Sequence, residues 1–335
     1  MKTFTLSSRT HKEHTLSLCE YAVERPRAIV QVVHGMEEHK ERYEDFSLFL
    51  NSCGYTVITA DLCGHGSSVP KENLGFFNEK NGYQILLQDV MIVRNYIRKH
   101  YPDKPVYLFA HSMGTIISRV VLQKHSADYD KVVLSGYPNF QYGAYAGIFL
   151  SSVLSAVHGP KYKSKLLQYL SVGSFNRKIA HPRTDVDWIC ANPDTIEQYL
   201  SDPLCGIGFT TSAFHDLYHL VILMHNPGLY RNVSANLPFL LISGNNDPCT
   251  GGKKGRIDSV RVLQSAGFQN ITSHVYPDMR HEILNEQGNT LVYEEIKNFF
   301  DGSLWLPTGC VCFICFSWFR CRKCRLTGGR YHHCC

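Results

Sequence analysis

Apolar and polar residues alternate in two short runs near the start of the chain, residues 3–8 and 15–21. Alternation with a period of two is typical of strands buried on one face, so these runs are expected to form an antiparallel pair. Later apolar runs are continuous, which indicates strands covered on both faces of a sheet. The later runs are residues 28–33, 55–60, 106–109, 131–135, 238–243 and 272–276.

Segments with the apolar spacing of helices lie between these strands. In residues 83–101 one face carries Ile85, Leu86, Val90, Val93 and Ile97. Such a stripe is typical of an amphipathic helix packed on a core. Similar segments are residues 43–53, 115–124, 257–266 and 289–300. Strands that alternate with helices predict an α/β fold with a mostly parallel sheet and helices on both faces.

The alternation of strands and helices stops between about residues 139 and 236, where Tyr, Leu, Lys and Ser dominate and helical pieces follow one another. We interpret this stretch as a helical cap over the carboxyl edge of the sheet, where open α/β folds place their sites. The predicted organisation is a first core part (1–138), the cap (139–236), a second core part (237–301) and a Cys-rich basic tail (302–335).

Charge is distributed unevenly along the 335 residues, which carry 34 Lys and Arg against 29 Asp and Glu. No acid follows Asp301, whereas five cations do: Arg320, Arg322, Lys323, Arg325 and Arg330. These five account for the whole net charge of +5, so the body is neutral. A neutral body argues against a nucleic-acid partner.

Cysteine usage and the first residues point to a cytoplasmic protein. Residues 1–27 are polar with scattered charges and contain no apolar stretch of the kind a secretory signal needs. Six of the 13 cysteines are scattered singly through the body, as expected of reduced thiols, and seven crowd into residues 310–335.

The most informative motif is Ala110-His111-Ser112-Met113-Gly114, between a predicted strand and a predicted helix. A serine flanked two residues away by small residues at such a turn is the signature of a nucleophile elbow, although Ala110 stands where glycine is commoner. The flanking residues must be small because larger side chains would collide across the turn. The alternative is a buried serine in an ordinary strand-to-helix connection.

A serine nucleophile needs a base and an orienting acid, and the loops after two later strands supply one each. Asp247 follows the strand at 238–243, and His281 follows the strand at 272–276. We assign Ser112 the attack on a carbonyl, His281 the proton transfer and Asp247 the orientation of His281. Asp61 and Asp278 are weaker candidates for the acid, because Asp61 follows the wrong strand and Asp278 shares a tight loop with His281.

The backbone amides of Met36 and Met113 are expected to form an oxyanion hole. His34, Gly35 and His111 are expected to border the substrate, since glycine lets the loop run close beneath a bound carbonyl. Asp202 and Asp216, in the cap, are expected to cap helices. Glu37, Glu38 and His39 resemble metal ligands only superficially, and the body has no spaced Cys/His/carboxylate set that would demand zinc, so no metal is predicted.

Five blocks occur together in an order that resembles a known family: His34-Gly35-Met36-x-Glu38-His39 with Arg42-Tyr43, Asp61-x-x-Gly64-His65-Gly66, His111-Ser112-Met113-Gly114, Ser243-Gly244-x-x-Asp247 and Arg280-His281-Glu282. They resemble monoacylglycerol lipases and lysophospholipases, the serine-aminopeptidase-type branch of the α/β-hydrolases, over roughly residues 2–301.

The resemblance implies an α/β-hydrolase fold with an eight-stranded sheet, a Ser–Asp–His triad, no cofactor, and single-chain lipid esters as substrates. Glu37 departs from the family pattern, in which a small residue is common. A peptidase of the same fold and a non-catalytic binding protein remain alternatives. The cap residues Tyr142, Ile148, Phe149, Leu150 and Leu154 would suit an acyl chain or a core equally.

The tail combines an apolar stretch at 304–319, containing Cys310, Cys312 and Cys315, with the basic stretch 320–325. The apolar stretch is shorter than the roughly 20 residues that span a bilayer. Cysteines beside cations predict S-acylation and peripheral contact with a membrane. A dispensable extension and metal binding through Cys321-x-x-Cys324 are the alternatives.

Overall fold

Eight strands form one sheet in the computed structural model, which describes residues 1–7 and 15–303. The strands are β1 Lys2–Ser7, β2 Thr15–Tyr21, β3 Ile29–Val33, β4 Thr56–Ala60, β5 Val106–His111, β6 Lys131–Ser135, β7 Phe239–Gly244 and β8 Ile271–Tyr276. Every strand predicted from the hydrophobic pattern is present. The expectations for residues 304–335 lie outside the described residues.

The sheet order is β1-β2-β4-β3-β5-β6-β7-β8. β2 pairs antiparallel with both β1 and β4, and all the later pairs are parallel. The predicted mostly parallel sheet is therefore confirmed. Because β5, β6, β7 and β8 are parallel neighbours, the loops that follow them leave the sheet at one edge.

Nine α-helices connect the strands or pack on them in the described part of the chain. They are α1 Glu44–Ser52, α2 Gly82–His100, α3 Met113–His125, α4 Gly143–His158, α5 Lys165–Ser171, α6 Pro193–Ser201, α7 Thr211–Met224, α8 Gly252–Ser265 and α9 Thr290–Asp301. Short 3₁₀ turns lie at Lys40–Tyr43, Gly66–Ser68, Lys71–Asn73, Ser126–Asp128, Gly173–Lys178, Pro227–Leu229 and Pro248–Thr250.

Helix α8 begins five residues before its predicted start at Ile257. The sequence from Gly252 to Arg256 carries no large apolar side chain, so the apolar periodicity starts only at Ile257. Gly255 is required here, because a Cβ on it would lie 2.0 Å from the Thr250 carbonyl oxygen.

Strand β5 shows why the central strands read as continuous apolar runs. Val106, Leu108 and Ala110 contribute to one buried cluster, and Tyr107 and Phe109 contribute to another. The first cluster includes side chains of α2, α3 and α7, and the second includes side chains of α1 and α9. Both faces of the sheet are therefore covered by helices.

Residues 139–236 contain α4, α5, α6 and α7, and no strand lies within this fully described stretch. Helix α7 packs against α4 and also against α2 and α3, so it links α4 to the helices that cover the sheet. No helix among the described residues is both long and apolar enough to cross a membrane.

Asp216 lies inside α7 and is buried, with its carboxylate facing the first amides of α2 at Gly82 and Tyr83. It therefore serves the start of a neighbouring helix and not of its own. Its Oδ2 has no hydrogen-bond partner among the described residues. Burial raises the pKa of Asp216 to about 7, against the smaller opposing effect of the two amides.

We predict that Asp216→Asn changes the pH dependence of stability. The unfolded chain ionises Asp216 near pH 4 and the folded chain only near pH 7. The folded protein therefore loses stability relative to the unfolded chain as the pH rises between these values, by about 1.4 kcal/mol per unit at most. The free energy of unfolding in urea should be measured for both proteins at pH 5 and pH 8. The difference, variant minus parent, should be about 2–3 kcal/mol larger at pH 8. An equal difference at both pH values would contradict this.

Candidate active site

Ser112 occupies the turn between β5 and α3 with a left-handed backbone, at φ 51° and ψ −121°. This conformation is costly for a residue with a side chain and persists only where the surroundings impose it. The Ser112 amide donates to the Ser135 carbonyl oxygen at 3.0 Å. Gly114 must be glycine, because a Cβ would lie 2.2 Å from the Val33 carbonyl oxygen. The predicted elbow geometry is therefore present.

Ser112, His281 and Asp247 come together in one chain of hydrogen bonds. His281 Nε2 lies 2.7 Å from Ser112 Oγ, and His281 Nδ1 lies 3.0 Å from Asp247 Oδ2. Asp247 follows β7 and His281 follows β8. The other Asp247 oxygen, Oδ1, accepts the Cys249 amide at 2.8 Å, which fixes the carboxylate in place.

His281 is buried among Trp188, His111 and Cys249. Burial alone would lower the pKa of His281, but the Asp247 carboxylate and Cys249 outweigh it and raise that pKa well above its ordinary value. The Asp247 carboxylate stabilises the imidazolium that forms when neutral His281 takes the proton of Ser112 Oγ.

The loop from His34 to His39 runs beneath Ser112 and carries one of the two predicted oxyanion donors. A Cβ on Gly35 would lie 3.0 Å from Ser112 Cβ and 2.7 Å from Glu38 Oε1, so only glycine fits. Met36 and Met113 both line the cavity described below. Met113 is the first residue of α3, and the amides of a first helical turn have no partner within the helix.

Glu38 and Arg42 brace this loop from below. Glu38 Oε1 accepts the Gly35 amide and, at 2.8 Å, the Tyr43 hydroxyl. Arg42 Nη1 donates to Glu38 Oε2 at 3.0 Å. Burial would raise the pKa of Glu38, yet Arg42 and its other neighbours lower it to about 2, so Glu38 is a carboxylate.

Arg42 also makes two hydrogen bonds to Glu282, from Nη1 at 2.6 Å and from Nη2 at 2.7 Å. Glu282 is the neighbour of His281 in sequence, so this pair joins the loop beneath Ser112 to the loop that carries the imidazole. Glu38, Arg42 and Glu282 all occur in the sequence motifs. The contact between Arg42 and Glu282 cannot be read from the sequence, because the two residues are far apart along the chain.

The two histidines predicted to border the substrate have different environments. His111 is buried and lines the cavity, and burial followed by the charge of His281 lowers its pKa to about 4, which keeps it neutral. The structure corrects the expectation for His34. His34 Nε2 accepts the Leu62 amide at 2.9 Å and Nδ1 lies 2.8 Å from the Gly35 carbonyl oxygen, so both nitrogens are used by backbone outside the cavity lining.

The other candidate acids lie elsewhere. Asp61 Oδ1 accepts the Lys40 amide and Oδ2 accepts the Ser67 amide, each at 2.8 Å, so Asp61 holds the Gly-rich loop together. Asp278 is exposed at the tip of its turn, with φ 62°. Asp202 caps the C-terminal end of α6, as a helix-capping residue was expected to do, and its side chain contacts His39.

A cavity of about 970 Å³ opens above Ser112 and extends among the cap helices. Its apolar wall includes Leu150, Val172, Phe175, Trp188, Leu217 and Val221. Of the cap residues named from sequence, Leu150 lines this wall, whereas Tyr142 and Phe149 are largely exposed. Sequence reasoning missed Trp188 and Cys249, because isolated apolar residues and cysteines carry no positional signal.

Glu37 brings a carboxyl group to the same cavity. It is buried with a backbone φ of 57°, and its Oε1 has no hydrogen-bond partner in the described residues. Burial raises the pKa of Glu37 despite the opposing effects of Gln168 and the Gly208 amide.

Comparison with known proteins places the site in a family context. The profile of the family described as "Serine aminopeptidase, S33" matches residues 24–288. The chain is 26% identical to the monoglyceride lipase of Mus musculus over 275 residues, covering 80% of this chain and 81% of that protein. It is 25% identical to the monoacylglycerol lipase of Mycolicibacterium smegmatis, covering 82% and 88%.

Among solved structures, a thermostable carboxyl esterase from Bacillus coagulans in complex with glycerol superimposes with a TM-score of 0.80. The two chains are 26% identical, and the alignment covers 90% of this chain and 98% of the esterase. The match therefore extends over the sheet and the helices between β6 and β7.

We predict that Glu282→Gln destabilises the protein. Glutamine retains one acceptor, so one Arg42 donor and part of its charge remain buried without a partner, at a cost of about 1–3 kcal/mol. Urea unfolding measures this cost. Glu197→Gln, at an exposed position of α6, is the control and should change stability by no more than about 0.5 kcal/mol. Equal effects of the two substitutions would show that the Arg42 contact contributes nothing.

Proposed function

The chain belongs to the serine aminopeptidase S33 family of α/β-hydrolases, and we propose that it is a serine hydrolase that cleaves carboxylic esters of single-chain lipids through an acyl-enzyme. The observation that carries the proposal is the continuous chain of hydrogen bonds from Ser112 through His281 to Asp247. This arrangement is how proteins of several folds activate a serine hydroxyl.

In the proposed reaction, Ser112 Oγ attacks the ester carbonyl carbon while His281 Nε2 takes the hydroxyl proton. The carbonyl oxygen becomes an oxyanion that accepts hydrogen bonds from the Met36 and Met113 amides. As the tetrahedral intermediate collapses, the bond to the alcohol oxygen breaks and His281 returns the proton to that oxygen. Water, deprotonated by the same imidazole, then releases the fatty acid and restores Ser112.

Two observations support a lipid ester as substrate. The cavity above Ser112 has a largely apolar wall built by the cap, as a single acyl chain requires. Relatives in Mus musculus and Mycolicibacterium smegmatis are named for lipases of monoglyceride or monoacylglycerol. Monoacylglycerols and lysophospholipids are therefore the substrate classes we propose.

Glu37 is relevant to whether this protein is an aminopeptidase, the activity in the description of its family. An aminopeptidase must hold a substrate ammonium group, and an ionised carboxylate does this best. Burial raises the pKa of Glu37, so its carboxylate is harder to form in the empty cavity than that of an exposed acid. Aminoacyl arylamides are therefore the appropriate comparison substrates, and we expect them to be turned over far more slowly than acyl esters.

We predict that Ser112→Ala abolishes both labelling by a fluorophosphonate probe and turnover of monoacylglycerol. Asp247→Asn should lower kcat by roughly 10³–10⁴-fold, because the imidazole loses the carboxylate that orients it. Asp278→Asn is the matched control, since it changes an exposed acid near His281 and asparagine tolerates the left-handed backbone. A labelled Ser112→Ala protein, or equal losses in the two Asp variants, would refute the proposed roles. Labelling without turnover of any acyl ester would refute the substrate class alone.

We also predict that Gly35→Ala lowers kcat by about 10²–10³-fold with a smaller change in KM. The added methyl group must displace Ser112 or Glu38, and Glu38 accepts the Gly35 amide and so positions the loop that carries the proposed Met36 donor. The comparison is Gly143→Ala, where an added Cβ meets nothing within 4 Å. Steady-state kinetics on one ester should separate the two variants. If they lose kcat to the same extent, the close approach at Gly35 has no catalytic importance.

A further inference from the structure

A second group of ligand-type side chains joins the loop after Met36 to the loop after α6. His39 Nε2 lies 2.8 Å from Asp202 Oδ2, and a His39 nitrogen, an Asp202 oxygen and Cys205 Sγ all lie within 4.8 Å of one another. None of the three takes part in the Ser112 relay. We call this group the His39 cluster.

Two members of the His39 cluster, His39 and Asp202, are each oriented by a further contact. His39 Nδ1 lies 2.7 Å from Glu41 Oε2, and Lys40 Nζ donates to Glu41 Oε1 at 2.5 Å. Asp202 Oδ1 accepts the Leu204 amide at 2.8 Å, which leaves Oδ2 to face His39. A metal-binding histidine usually donates its other ring N–H to a carboxylate or carbonyl, and ligating carboxylates are usually hydrogen-bonded as well. His39 and Asp202 have contacts of this kind.

We propose that His39 Nε2, Asp202 Oδ2 and Cys205 Sγ bind a Zn²⁺ ion, with water as the fourth ligand. Nitrogen, oxygen and sulfur together suit zinc, whereas magnesium and calcium prefer oxygen alone. Zinc lies about 2.0–2.2 Å from nitrogen and oxygen ligands. Tetrahedral angles at these lengths place the two ligand atoms about 3.3 Å apart, so the His39–Asp202 pair must open by about 0.5 Å.

The ion can reach the His39 cluster from solvent. The side chain of Asp202 is 31% exposed, whereas that of His39 is 8% exposed. Asp202 therefore forms the open side, where a water ligand would lie. The residues come from positions 39, 202 and 205, which is why their spacing in the sequence gives no zinc signature and why no metal is predicted there.

Zinc would cross-link two segments that already touch. The Gly206 amide donates to the Glu37 carbonyl oxygen at 3.0 Å, and the Tyr199 hydroxyl donates to the same oxygen at 3.3 Å. The bound ion would add coordinate bonds to these hydrogen bonds, and the protein should unfold at a higher temperature when zinc is present.

A similar group, Asp247, Cys249 and His281, also has ligand atoms within 4.8 Å of one another. It is fully buried, and His281 Nδ1 is already paired with Asp247. A metal there would break the relay, whereas the His39 cluster is separate from it. Cys249 is therefore the matched control for Cys205.

Titration of the metal-free, full-length protein with Co²⁺ tests the proposal without measuring hydrolysis, so its outcome is independent of the proposed function. Cobalt replaces zinc in such sites, and a Co–thiolate bond gives a charge-transfer absorption. We expect Cys205→Ser to bind one equivalent of Co²⁺ fewer than the parent and to lose the corresponding absorption, and Cys249→Ser to match the parent. Zinc should raise the Tm of the parent and of Cys249→Ser, but not that of Cys205→Ser.

Asp202→Asn gives a second measurement that does not depend on how the cysteine variant folds. It keeps the side-chain shape and should weaken Co²⁺ binding at this site by about tenfold or more while the thiolate absorption remains. The proposal is overturned if Cys205→Ser keeps the stoichiometry and absorption of the parent. It is equally overturned if Cys249→Ser loses them, or if the parent binds no Co²⁺ at micromolar concentration.

Discussion

The left-handed backbone of Ser112 is the constraint on which the rest of the site depends. It is held by the hydrogen bond of the Ser112 amide to β6 and by the approach of Gly114 to the end of β3. A side-chain-bearing residue in this conformation needs neighbours on both sides that prevent relaxation. Strands β3, β5 and β6 must therefore be paired in register before Ser112 Oγ points at His281.

Local chemistry at the ends of strands could be predicted from the sequence. The elbow, Asp247 and His281 each follow an apolar run, and parallel neighbours release their loops at one edge, so the three meet without further information. The strands themselves could also be predicted. Burial on both faces removes polar residues from them, so they appear as continuous apolar runs. The start of α8 could not, since Gly252 and Gly255 are selected by a tight turn and carry no apolar periodicity.

Contacts between distant loops are the part that the sequence conceals. Arg42 and Glu282 are 240 positions apart, and His39 and Asp202 are 163 positions apart. Charged residues of this kind are normally solvated, so nothing in their spacing distinguishes a buried pair from two surface charges. His34 shows the opposite error, because a histidine within a catalytic motif proved to serve the backbone.

The hydrogen bonds that end on the Glu37 carbonyl oxygen restrict how a substrate can enter. If the loop after α6 moved outward, it would displace Glu37 and with it the neighbouring Met36, whose amide is the proposed oxyanion donor. A substrate that enters while the site is assembled therefore leaves this loop in place, and residues of α4, α5 and α7 line other parts of the cavity.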